Sequence, residues 1–103
     1  MRPTMHHLRT RATVRAEALF VSTLQGSDDP SARQVQDAIA AAIREFGRQG
    51  CAERVAQEFG DHPEIAVPRM RWARHTAGEA FSAPGSTAAH PLLAARRFVA
   101  RAA

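Results

Sequence analysis

Between Val35 and Phe46 the apolar side chains are Val35, Ala38, Ile39, Ala42, Ile43 and Phe46. Steps of three and four residues put all of them on one face of an α-helix and on no single face of a strand. Arg33, Gln36, Asp37, Arg44 and Glu45 lie off that stripe. A helix with one apolar face must bury it against other elements, so this stretch is the expected core helix of a packed domain. Its start is marked twice. Asp29 can cap with Pro30 in the first helical position, or Ser31 with Gln34 can form a capping box. Gly47 is the expected stop, ahead of a turn at Arg48-Gln49-Gly50, which gives a helix over 30–46.

The elements available to cover that face are also helical. The chain of 103 residues is 45% hydrophobic, much of it alanine, and β-branched residues are few, so no sheet is expected. Val14, Ala18, Val21 and Leu24, widened by Leu19 and Phe20, predict a first helix over 12–25 that stops at Gly26. Cys51, Ala52, Val55, Ala56 and Phe59 predict a short third helix over 51–59, ended by Gly60. A fourth over 64–81, opened by Asp61, His62 and Pro63, turns Ala66, Met70, Ala73, Ala77 and Phe81 inward. Pro68 lies inside it, so either the axis bends there or the regular part begins nearer Pro68.

The expected fold is therefore a small all-α, four-helix domain over 11–81, with a helix-turn-helix-like pair and flexible termini. Its core would hold Leu24, Val35, Ile39, Ile43, Phe46, Val55, Phe59, Met70 and Phe81. Residues 1–10, with Pro3, His6 and His7 and almost nothing to bury, read as an arm. Adjacent histidines do not converge on one ion, so no metal is expected there. Residues 82–103 read as a small-residue linker and a basic tail that can form a helix from Pro91 to Ala102.

Charge and motifs narrow the function. All 14 basic residues are arginine, and the formal net charge is +4. That is compatible with phosphate binding, and equally with an ordinary solvated surface. The single cysteine, Cys51, forms no internal disulfide, so a reducing cytoplasm is the expected setting. The apolar run from Ala16 to Leu24 is interrupted by Glu17, Ser22 and Thr23, and predicts neither a signal peptide nor a membrane span. No phosphate loop, nucleophile elbow, paired-cysteine zinc pattern or H-E-x-x-H is present. Glu58, Asp61, His62 and Glu64 suit a helix start better than a metal loop. No catalytic residue, cofactor, metal site or small-molecule substrate is expected, and the protein is not expected to be an enzyme.

The stretch from Gly50 to Phe81 carries the functional expectation. Two short helices about a turn at Gly60-Asp61-His62-Pro63, the second rich in arginine, have the outline of a helix-turn-helix. Val55-Ala56-Gln57-Glu58-Phe59-Gly60, then Ala66, Arg69 and Ala73-Arg74, resembles the second half of the helix-turn-helix of sigma-factor region four and of related response-regulator domains. The resemblance covers about twenty residues and implies a regulatory module binding duplex DNA. Arg69, Arg71 and Arg74, with His75 beside them, would meet phosphates or base edges. From Val14 to Phe81 the chain also resembles short arginine-rich actinobacterial proteins sharing its GCA and EFGDHPE-to-RMRWA blocks, which implies a shared domain type and no mechanism. The alternative expectation is a helical protein-interaction or adaptor module, or a homodimer, with Met70 and Trp72 in the contact surface.

Overall fold

A computed structural model describes residues 9–82. The expected arm over 1–10 and the linker and tail over 82–103 lie outside them, apart from Arg9, Thr10 and Ser82. The described chain is helical with no strand. It forms three helices, α1 (Arg11–Val21), α2 (Ala32–Asp61) and α3 (Pro63–Ala80), each packed on the other two.

α1 opens on Thr10, whose Oγ1 accepts the Thr13 N–H at 3.0 Å. It buries Ala16, Ala18, Leu19 and Phe20. It ends four residues before the expected Gln25, because Ser22 turns its hydroxyl back onto the Leu19 carbonyl at 2.6 Å. That side-chain bond competes with continuation of the helix. Leu24 is thereby left in a loop, half-buried against the core, and Gly26–Asp28 forms one 3₁₀ turn.

Of the two start signals for α2, the second is used. Ser31 Oγ accepts the Gln34 N–H, and Gln34 Oε1 accepts the Ser31 N–H at 2.8 Å. Asp29 is left-handed at φ 49° and does not cap α2; its N–H instead closes the preceding 3₁₀ turn on the Gly26 carbonyl. The expected second and third helices are one element, interrupted only at Gly47 (φ 75°, ψ 164°). The count of helices is therefore three, and the Arg48-Gln49-Gly50 turn is helical. This backbone region is nearly glycine-only, and its effect is to reset the helix phase. In an unbroken helix, Cys51 and Val55 would lie roughly 160° round from Val35 and Ile39, at about 100° per residue. With the break, Val35, Ile39, Ala42, Cys51 and Val55 all enter one core.

α2 and α3 meet at a single non-helical residue, His62 (φ −141°, ψ 64°), where a four-residue turn was expected. Pro63 takes the first position of α3. The helix runs on through Pro68, which faces solvent, so the Glu64 carbonyl that loses its partner is on the wet side. Alanines at 66, 73, 77 and 80 let α3 approach its neighbours closely, with Met70 filling the space between them. Expected core residues Val35, Ile39, Val55 and Met70 are buried. Leu24, Ile43, Phe46, Phe59 and Phe81 pack around them half-buried, while Leu19, at 0% exposure, lies at the centre.

Candidate nucleic-acid interface

Two sides of α3 treat arginine in opposite ways. On one side Arg69 reaches back to the end of α1. Its Nε donates to the Phe20 carbonyl at 2.8 Å, and its Nη2 to Leu24 at 3.0 Å, Ser22 at 3.1 Å and Leu19 at 3.4 Å. These carbonyls belong to the last turn of α1 and the chain leaving it, where a helix lacks intrahelical donors and carries partial negative charge. The guanidinium also lies 4.9 Å from the Trp72 ring, and burial pushes its pKa down. Arg69 therefore caps a helix, with its Nε and Nη2 engaged inside the protein.

Trp72 is half-buried beside it, with its indole against Gly26. A Cβ built on that glycine would stand 3.1 Å from Trp72 Nε1. Met70 is 6% exposed. The two residues expected in a protein-contact surface thus pack within the fold, Met70 in the core and Trp72 closing its edge.

On the solvent side of α3, Val67, Arg71, Arg74 and Gly78 succeed one another at steps of four, three and four, all exposed. His75 flanks them, 3.5 Å from Glu79. Neither Arg71 nor Arg74 is in an ion pair among the described residues. Arg74 also borders a cleft of about 260 Å³ between α3 and α1, lined by Ala12, Thr13, Arg15, Arg74, Ala77 and Gly78. Among the described residues no carboxylate lines it. Arg15 is held in place by stacking on the Phe81 ring, 3.8 Å from its centroid, which keeps two guanidinium groups at one opening. Nothing lies within 4 Å of a Cβ placed on Gly78, so the backbone there is open to close approach. Arg15 lies outside the expected contact set, which is confined to the fourth helix. The signal available was the Arg11/Arg15 pair, one turn apart on the first helix.

Other candidate chemistry is weak. Cys51 is 1% exposed, with Sγ 3.8 Å from the Ala42 carbonyl. Burial, reinforced by Glu17, pushes its thiol pKa up, so it is held protonated and makes a poor nucleophile. Among the described residues no three His, Cys, Asp or Glu side chains are grouped to hold a metal ion. No helix there is long and apolar enough to cross a membrane. No family model, curated protein or solved structure matches the chain.

Proposed function

We propose that the domain is a regulatory module that binds duplex DNA through the solvent face of α3, presented by the helix pair that meets at His62. The observation that supports this reading is the run Val67, Arg71, Arg74 and Gly78, with Arg15 of α1 brought beside Arg74. Exposed guanidinium groups without carboxylate partners keep their donors for phosphates or guanine edges. Val67 offers an apolar contact of the kind that meets a thymine methyl, and Gly78 lets a phosphate approach the backbone. Arg69 drops out of the expected contact set, since its Nε and Nη2 already serve α1. Arg15 takes its place, and His75 stays at the margin. A cytoplasmic setting accords with this reading.

The test is a salt-titrated binding assay of the full chain against random-sequence duplex DNA. Replacing Arg71 and Arg74 together by alanine should weaken binding to every sequence. The slope of log affinity against log salt should fall by about 0.9 for each phosphate contact removed. Arg15→Ala should act in the same direction. Wild-type affinity that is negligible at low salt, or a slope unchanged in the double variant, would exclude this face as the binding surface.

A further inference from the structure

A second groove lies around the corner from the Arg15/Arg74 cleft, and its character is different. It measures about 690 Å³, between the start of α1 and the first half of α2, with Val14, Ile39, Ala40, Ile43 and Phe81 among its lining residues. Arg9, Arg11, Arg15 and Arg48 also line it. Arg9 leans toward Glu17 at 3.7 Å and Arg15 stacks on Phe81, while Arg11 and Arg48 are exposed. An apolar floor under several separated positive charges fits an apolar side chain flanked by several carboxylates. A single-headed anion would use only one end of it.

Such a surface exists on the same chain. Two large apolar residues, Ile65 (58%) and Val67 (39%), are exposed among the described residues. Ile65 borders a depression with Gln57 and Glu58, where α2 turns into α3. Glu58, Asp61 and Glu64 are all exposed around that corner. Arg54 and Arg69 border it too, but the Arg54 guanidinium stacks 4.0 Å over the Phe46 ring and Arg69 is turned onto the carbonyls at the end of α1. The corner adjoins Phe20 and Val21 at the end of α1, whereas the groove adjoins Arg9 and Arg11 at its start. Because they sit at opposite ends of α1, one chain does not fill its own groove with its own corner. The terminal segments 1–8 and 83–103 contain no Asp or Glu, and the latter adds Arg96, Arg97 and Arg101, so neither matches the groove in charge.

We infer that copies of this chain associate head to tail, with Ile65 of one copy seated on the apolar floor of the next copy's groove and Glu58, Asp61 and Glu64 facing Arg11 and Arg48. The two surfaces differ, so a pair of copies leaves one groove and one corner unfilled, and the contact repeats until a ring closes or the chain of copies ends. This goes beyond the DNA reading and uses neither Arg71 nor Arg74.

The experiment measures the mass of the full chain by sedimentation over a range of concentrations, at low salt and at about 1 M salt, where exposed charges are screened within about 3 Å. Wild type should grow in mass with concentration at low salt and return to monomer at high salt. Arg11→Glu with Arg48→Glu removes the groove, and Glu58→Arg with Asp61→Arg removes the corner. Each should be monomeric with an unchanged helical circular-dichroism signal. The second pair lies in the last turns of α2, where positive charge suits the helix end. Ile65→Ser, which changes no charge, should weaken association about tenfold. Mixing the two double variants pairs the intact corner of one with the intact groove of the other, and the reversed groove with the reversed corner, so association should return. A monomeric wild type at every concentration, association retained by either double variant alone, or a mixture that stays monomeric would each overturn the inference.

Discussion

Arg69 and Arg74 stand on one helix, five residues apart in sequence number, and do opposite things. Arg69 points toward the end of α1 and makes four contacts with backbone carbonyls there. Arg74, like Arg71, points into solvent. The difference is made by what each helix side faces: a helix C-terminus needs donors, and open water does not. Counting arginines on a helix therefore overstates its capacity for phosphate whenever another helix ends nearby.

The largest effect should come from Arg69→Ala, which strips charged donors from the end of α1. Bonds from a charged donor contribute about 1.5–3 kcal/mol each and do not sum, and this site is half-exposed, so a loss of about 2–4 kcal/mol in denaturant-measured stability is expected. A loss below about 0.5 kcal/mol would erase the contrast with Arg71 and Arg74. Arg69→Lys sharpens it, since charge is kept and the planar fork is lost; about half of the deficit should persist.

Gln36→Ala asks whether a neutral donor does the same job at another helix end, since Gln36 Nε2 donates to the Ala80 carbonyl at 2.7 Å. One neutral bond should contribute about 1 kcal/mol, visible as a lower unfolding midpoint at unchanged slope. The smallest effect belongs to Arg71→Ala with Arg74→Ala, where stability should stay within about 0.5 kcal/mol while DNA binding changes. If that pair destabilises the domain as much as Arg69→Ala, the division of α3 into a structural and a free side is wrong.

The apolar faces were legible in the sequence because they depend on spacing within one segment. Ser31 with Gln34, Pro63 and the stripe from Val35 to Phe46 are local signals, and they acted as read. Gly47 was legible as a stop but not as a single-residue interruption, since the restart depends on Cys51 and Val55 finding the core already begun by Val35 and Ile39. Gly47→Ala should therefore cost about 1–3 kcal/mol, measured in the same denaturation series. The role of Arg69 was hidden for a related reason. Its acceptors, Leu19 to Leu24, lie far away in the chain, and no spacing rule links them. Arg15 was not legible as its neighbour, because the cleft it shares with Arg74 exists only once α1 and α3 have docked.

The reach of Arg69 also bears on how the chain acquires its structure. α1 spans 11 residues, which is short for a helix to persist alone in water. Its last turn is completed by a side chain on a helix that is made later in the chain. Closure of α1 and docking of α3 should then be one cooperative event, so that the final amides of α1 exchange their hydrogens only as fast as the whole domain opens.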